Sequence, residues 1–169
     1  HLPADILAAI PATKMTEHQI ILKNGSEISV SVSYRSGTIQ VLHVTEYGYT
    51  CAHMPTRARE IKTGAFNSVA STGIKVVEST ADGRTGDFYE MCQAAQKGNA
   101  WRFTFAPWWR HPEYSDDSDS PFAEARDGET DYLDQLETTI GRKLTAGQRR
   151  WWCLKRRDQG DDMSSEYPS

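Results

Sequence analysis

The run from Gln40 to Tyr47 constrains the fold more than any other stretch of the chain. Val41, Leu42 and Val44 are apolar and β-prone, and Thr45-Glu46 follow them directly. Strands of parallel sheets are buried on both faces and have nearly continuous apolar sequences, and ligands bind where their carboxyl ends emerge. We therefore predict an α/β sheet that places a hydroxyl and a carboxylate at its carboxyl edge. A surface acid at an ordinary strand end is the alternative for Glu46.

Strand and helix patterns alternate around this run. A hairpin is predicted first, because Asn24-Gly25 separates two β-rich segments and is typical of a tight turn. The later pattern is βαβαβ, which predicts parallel strands with right-handed connections. The predicted elements are a helix near Pro3–Ile10, hairpin strands Gln19–Lys23 and Ser26–Val32, the opening strand, a helix from Met54-Pro55 to Val69, a strand Ile74–Glu78, a helix from Thr85 or Gly86 to before Gly98, and a strand Trp101–Phe105.

The character of the sequence changes at Pro107. The stretch from Glu113 to Glu137 holds ten acids and one base, Arg126, which predicts a solvated linker that enters a helix at about 132–140. Thr145 and Gln148 have the spacing of a capping box, so a further helix should begin there and end near Gly160. We therefore divide the chain into an α/β part, 1–106, and an acidic linker with a helical subdomain, 107–169.

Composition excludes several classes of protein. Of the 169 residues, 38% are hydrophobic, and no apolar run approaches the roughly 20 residues of a membrane span. The net charge of −4 argues against indiscriminate coating of nucleic acid. The three cysteines form no C-x-x-C pair, which favours reduced thiols in a cytoplasmic protein. A metal site built from His43, His53 and His111 is a weak alternative, because their spacing matches no zinc pattern.

Polar side chains with complementary chemistry converge on one predicted sheet edge. Thr45-Glu46 follow the first strand of the alternation, Ser79-Thr80 follow the next, and Arg35 lies in the loop ahead of the first. Hydrolysis of a nucleoside triphosphate requires a carboxylate to orient water, oxygen groups near magnesium and positive charge on the transferred phosphoryl group. The edge is therefore a candidate nucleotide site. In the alternative, Ser79 and Thr80 only cap a turn and Arg35 is a solvated loop residue.

Several motifs, in this order and spacing, resemble the large subunit of the tailed-bacteriophage terminase, the motor that packages viral DNA. They cover most of the chain, and those that carry the resemblance are Leu42-His43-Val44-Thr45-Glu46-Tyr47, Val77-Glu78-Ser79-Thr80-Ala81-Asp82-Gly83, Gly86-Asp87-Phe88-Tyr89-Glu90, Pro107-Trp108-Trp109, Pro112-Glu113-Tyr114, Leu144-Thr145 to Gln148, Trp151-Trp152 and Glu166-Tyr167-Pro168-Ser169. The resemblance implies a partial P-loop ATPase core with a mostly parallel sheet, followed by a helical linker before a nuclease domain.

The resemblance also implies roles for the residues at the sheet edge. Glu46 corresponds to the Walker B catalytic glutamate, and Ser79, Thr80 and Ala81 correspond to the motif that couples hydrolysis to movement. Thr45 stands where many members have a magnesium-associated aspartate and others have serine. A hydroxyl binds a metal ion more weakly than a carboxylate does. Arg35 corresponds to an arginine that some members supply to the neighbouring subunit.

The implied cofactors are ATP and Mg²⁺, and the implied partners are double-stranded DNA, a portal protein, the terminase small subunit and further copies in a homo-oligomeric ring in the host cytoplasm. No G-x-x-x-x-G-K-[ST] motif is present. The chain begins at His1 and stops without a closing element, so we expect a fragment whose phosphate loop lies upstream. A non-catalytic docking module of ATPase ancestry and a helicase-like ATPase are the alternative functions.

The basic residues near the C-terminus allow two interpretations. Arg149, Arg150, Lys155, Arg156 and Arg157 surround Trp151 and Trp152. Clustered cations are what DNA phosphates require, so this helix is the candidate DNA-binding surface. We favour pairing with the acidic stretch instead. The other aromatic residues, among them Trp101, Phe103, Phe105, Trp108 and Trp109, are predicted to be packing residues, with a base-stacking platform as the alternative.

Overall fold

The computed structural model describes residues 2–32, 34, 37–118 and 120–168. The protein is a mixed α/β chain with a small parallel sheet. It packs as two compact units: residues up to Leu42 together with Arg59–Lys75, and His43–Ala58 together with the residues from Val76 onward. Within the described ranges, no helix combines the length and the apolar character needed to cross a bilayer. The predicted boundary between 106 and 107 stays a prediction.

The first unit contains a short helix and an antiparallel sheet. The elements are α1 (Ala4–Ala9), β1 (Ala12–Met15), β2 (Gln19–Leu22) and β3 (Glu27–Ser29), with the strands in the order β1-β2-β3. The predicted hairpin is confirmed: Gly25 has a φ of +84°, and the Ser26 N–H donates to Asn24 Oδ1 at 3.0 Å. The prediction missed β1, because four residues without apolar alternation give no strand signal until β2 pairs with them.

The parallel sheet consists of β4 (Ile39–Val44) and β5 (Val69–Val77), which are hydrogen-bonded neighbours. The ladder continues past both strands, because Glu78 N–H donates to Val44 O at 3.0 Å and Glu78 O accepts from Tyr47 N–H at 3.1 Å. In parallel sheets, the N–H and the C=O of one residue bond to two different residues of the neighbouring strand, as Glu78 does here. Both strands were predicted, although β5 begins at Val69 rather than at Ile74. The expectation that they are buried is wrong, because every residue of β4 and β5 is half-buried or exposed.

The segment between these strands differs from the single predicted helix. It consists of α2 (Tyr47–His53), α3 (Pro55–Glu60), a π-helical turn Ile61–Ala65 and a 3₁₀ turn Phe66–Ser68. The prediction of a helix up to Val69 is therefore wrong at its end, and it missed α2. Gly64 lies in the π-helical turn, where its conformational freedom weakens a regular helix.

The predicted third strand at Trp101–Phe105 is wrong, because these residues are neither helix nor strand. Aromatic alternation favours a strand only when a neighbouring strand can pair with it. In the described part of the chain, the parallel sheet has two strands, β4 and β5. The observed pattern is therefore strand, helices, strand, helix, and the predicted βαβαβ unit lacks its last member.

The second unit is mainly helical after β5. Its further helices are α4 (Gly86–Gln96), α5 (Glu129–Ile140), α6 (Ala146–Gln159) and α7 (Met163–Glu166). The predicted capping box is confirmed, because Thr145 Oγ1 accepts from Gln148 N–H and the Gln148 side chain accepts from Thr145 N–H. Gly160 ends α6, as predicted. The core comprises Trp108, Trp109, Leu133, Leu136, Leu144, Trp151, Trp152, Cys153 and Met163.

Aromatic stacking organises this core. The Trp151 ring stacks on Trp108 with centroids 5.5 Å apart and on Tyr114 with centroids 4.4 Å apart. Trp108 is 2% exposed and Trp109 is 8% exposed. Because rings this deeply buried have no free face for a nucleobase, packing is the observed role of these two residues.

Candidate functional site

The turn that follows β4 has an unusual backbone. Glu46 has φ +52° and ψ +39°, and among the described residues no other non-glycine residue has a positive φ. The left-handed conformation costs an L-residue with a Cβ about 1–2 kcal/mol. It allows the chain to leave β4 and enter α2 at the next residue, Tyr47. Residues held in such conformations cluster at functional sites, so this turn is a site candidate on backbone grounds alone.

The structure brings Glu46 and Ser79 together. Ser79 Oγ lies 3.5 Å from Glu46 Oε2, at the outer limit of a hydrogen bond. They meet because the ladder bonds of Glu78 hold the ends of β4 and β5 side by side. The Glu46 side chain is exposed and Ser79 is half-buried. A carboxylate in this setting is available to accept a hydrogen bond from a water molecule or to face a metal ion.

A close backbone approach places Thr80 at the same turn. A Cβ on Gly48 would lie 2.8 Å from Ser79 Oγ, 3.1 Å from Thr80 O and 3.1 Å from Phe88 Cδ1. Such distances are too short for an alanine without movement of its neighbours. Glycine at position 48 therefore lets the first turn of α2 press against the 79–80 segment. Thr45 is exposed and lies directly after the last residue of β4.

Tyr47 fixes the other side of the turn. Its side chain is fully buried, and its hydroxyl donates to Asp87 Oδ2 at 2.8 Å and lies 3.3 Å from Ala58 O. Burial, and then the hydrogen bond to Asp87, raise the pKa of Tyr47 far above its usual range. Asp87 is in the first turn of α4, where the helix dipole favours a negative charge. The Tyr47 and Phe88 rings meet edge to face with centroids 6.3 Å apart.

Two histidines near the site pair with separate carboxylates. His43 Nε2 lies 3.4 Å from Glu78 Oε1, and His53 Nε2 lies 2.9 Å from Asp82 Oδ2. The His53 ring also packs on Tyr49 with centroids 4.4 Å apart. Residues 2–32, 34, 37–118 and 120–168 contain no group of three or more His, Cys, Asp or Glu side chains placed to hold a metal ion. The geometry therefore gives no support to the three-histidine alternative.

The predicted Arg35 lies outside the described residues, so its role stays a prediction. The roles assigned to Glu46, Thr45, Ser79 and Thr80 also stay predictions, although their positions agree with the predicted sheet edge.

The basic residues of α6 are paired with acids. Arg149 Nη2 lies 2.7 Å from Asp134 Oδ1, and Arg149 Nη1 lies 2.8 Å from Glu137 Oε1. Arg157 Nη2 lies 3.4 Å from Glu129 Oε2. Weaker pairs join Arg150 to Asp117, Lys155 to Asp158 and Arg156 to Asp161. The geometry therefore agrees with pairing to acids, which we favoured over DNA binding.

The acidic stretch is not solvated throughout. The Glu137 side chain is 4% exposed and accepts from Lys143 Nζ at 2.7 Å, from Leu144 N–H at 3.1 Å and from Arg149. Glu137 lies in the part of this stretch that was predicted to be helical, and it is buried because α5 turns it toward Lys143 and Arg149. The number of acids in a stretch of sequence does not show which of them lie on the buried face of a helix.

No protein-family model, no curated protein and no solved structure matches the chain. The sequence reasoning gave no role to Tyr47, Gly48 or Asp87. The available signals were the glycine two residues after a candidate catalytic acid and the aspartate directly after Gly86 at a helix start.

Proposed function

We propose that the chain is part of the ATP-hydrolysing motor subunit of a phage or prophage terminase, which translocates double-stranded DNA into a procapsid. The observation that carries the proposal is the 3.5 Å approach of Ser79 Oγ to Glu46 Oε2 at the carboxyl ends of neighbouring parallel strands. Ligands bind at this edge of α/β sheets. The left-handed backbone of Glu46 and the motif resemblance support the same site.

In this proposal each residue has a distinct task. Glu46 accepts a hydrogen bond from the attacking water and directs it toward the γ-phosphate, as water-positioning residues do in phosphoryl transfer. Ser79, next to that carboxylate, and Thr80, which follows it in the chain, respond to the change in charge. The oxygen donors at 45, 46 and 79 suit Mg²⁺, a hard cation, with Thr45 acting directly or through water. Bound Mg²⁺ would neutralise developing charge on the phosphates. Arg35 would stabilise the same charge in a neighbouring subunit.

The phosphate cradle would come from outside this sequence, because the chain contains no Walker A motif. The cradle supplies most contacts to the phosphates, so we expect the 169-residue chain alone to bind Mg-ATP weakly or not at all. Isothermal titration with Mg-ATP measures this directly. Tight binding by the isolated chain would show that the phosphate site has been misplaced.

The decisive test uses the complete subunit encoded by the full reading frame. Glu46→Gln should keep Mg-ATP affinity and lower ATP turnover by about 100-fold or more, the range of a lost water-orienting base. Glu90→Gln, an exposed change on α4, is the matched control and should leave turnover unchanged. Normal turnover in Glu46→Gln would remove Glu46 from this role and the proposed function with it.

A docking module of ATPase ancestry is the second candidate, and the exposed apolar surface of the parallel sheet is compatible with it. Val41 on β4 is 62% exposed and Ile74 on β5 is 59% exposed, although side chains of parallel sheets are usually covered. Further strands of an ATPase sheet would cover such residues equally well. A complete reading frame without a Walker A loop would support docking, and one with that loop supports the motor.

A further inference from the structure

We propose that Tyr47, with Asp87 as its partner, is a positioning residue that holds Glu46 in its reactive orientation. The inference rests on the proposed function and adds to it a group that does not touch the substrate. Tyr47 is fully buried, and Asp87 is half-buried in the first turn of α4.

The direction of the Glu46 carboxylate depends on its backbone. Val44 O and Tyr47 N–H both bond to Glu78, so the ladder holds the residues before and after Thr45-Glu46. Between these two points Glu46 adopts the left-handed conformation. This conformation lies above the relaxed one in free energy, so neighbouring contacts must hold it.

The Tyr47 hydroxyl supplies such a contact. Packing requires only an aromatic ring, and a phenylalanine would fill the same space without burying a polar group. The hydroxyl instead donates to Asp87 Oδ2 at 2.8 Å, a charge-assisted bond across forty residues of sequence. It therefore ties the start of α2, one residue after Glu46, to the start of α4.

The segment that this bond ties down carries Ser79 and Thr80. Gly48 leaves too little space for a Cβ beside Ser79 Oγ and Thr80 O, and His53 at the end of α2 pairs with Asp82. Residues 79–87 are thus held against α2 at several points, and the Tyr47–Asp87 bond closes the far end. Loss of that bond should loosen Glu46 relative to Ser79 while leaving the binding groups in place.

The test measures kcat and KM for ATP in the complete subunit, with Glu46→Gln included in the same series. Tyr47→Phe should lower kcat by about 10- to 100-fold, the cost of a slightly misplaced catalytic group, with KM for Mg-ATP unchanged. Asp87→Ala should do the same, and the double variant should lose no more than either single one, because both break one bond. Asp87→Asn keeps an acceptor oxygen and should restore most of kcat. Tyr49→Phe, a 51% exposed tyrosine of the same helix, is the matched control.

The outcomes separate the two proposals. Full kcat in a folded Tyr47→Phe subunit, alongside an inactive Glu46→Gln, overturns the positioning role and leaves the proposed function intact. Full kcat in Glu46→Gln overturns the proposed function itself. If Tyr47→Phe fails to fold, judged by circular dichroism and thermal unfolding, the comparison of Asp87→Ala with Asp87→Asn tests the positioning role. Loss in Asp87→Ala with recovery in Asp87→Asn supports positioning, and equal kcat in both overturns it.

Discussion

At the scale of single residues, Glu137 shows how neighbouring hydrogen-bond donors can keep a buried carboxylate ionised. The hydrogen bond from Lys143 lowers the pKa of Glu137 to about 2, and the bonds from Leu144 N–H and Arg149 add to it while burial opposes them. The folded pKa lies below the ordinary 4.5, so the stabilisation is complete above pH 4.5 and is lost as the pH falls through about 2.

We therefore expect the stability gap between the wild type and Glu137→Gln to be wide at pH 7 and to shrink between about pH 5 and 2. Urea unfolding at a series of pH values measures the gap. Asp127→Asn, an exposed loop change, is the control for general effects of lost charge. A gap that stays constant down to pH 2 would mean that Glu137 titrates normally.

The sequence allowed the positions of Glu46 and Ser79 to be predicted, because an apolar, β-prone run followed by polar residues marks the end of a strand. The bond between Tyr47 and Asp87 could not be predicted in the same way. It depends on how α2 and α4 dock, and nothing local to either helix encodes a partner forty residues away. The burial of Glu137 escaped prediction for a related reason, since its partners Lys143 and Arg149 become neighbours only after the helices pack.

At the scale of elements, the start of α6 depends on a local device. Thr145 Oγ1 accepts from Gln148 N–H at 3.1 Å, and satisfies a donor that the helix cannot satisfy itself. Thr145→Ala should lower the free energy of unfolding by about 1 kcal/mol. Chemical denaturation measures the change. Thr139→Ala, in the exposed interior of α5, should be neutral or slightly stabilising, because alanine has the higher helix propensity. Equal losses in both variants would contradict a capping role.

Elements with local signals were predicted well and elements that need a partner were not. The capping box and Gly160 define α6 within its own sequence, and Asn24-Gly25 defines the hairpin. A strand, in contrast, exists only when another strand pairs with it. This is why Trp101–Phe105 failed to form the expected strand and why β1 formed without a signal of its own.

At the scale of the whole molecule, the charge distribution argues against DNA binding by this chain alone. The net charge is −4, and Arg149 and Arg157 are engaged by Asp134, Glu137 and Glu129. We expect weak affinity for a labelled DNA duplex and little dependence on salt, since few counterions would be released. Fluorescence anisotropy over a range of salt concentrations measures both.

A variant that frees the bases provides the comparison. Glu129→Gln with Asp134→Asn removes acids that pair with Arg157 and Arg149, so DNA affinity and its salt dependence should both increase. Strong, salt-sensitive binding by the unchanged chain would show that these ion pairs open in favour of phosphates.

The left-handed backbone at Glu46 has an evolutionary consequence. Glycine adopts that conformation freely, and asparagine adopts it more easily than glutamate does. Selection for stability alone would therefore favour replacement of the acid. An adaptor without the proposed ATPase role would therefore be expected to carry glycine or asparagine at position 46. That proposed role requires the acid despite its strain, so the residue that a homologue carries there would distinguish the two proposals.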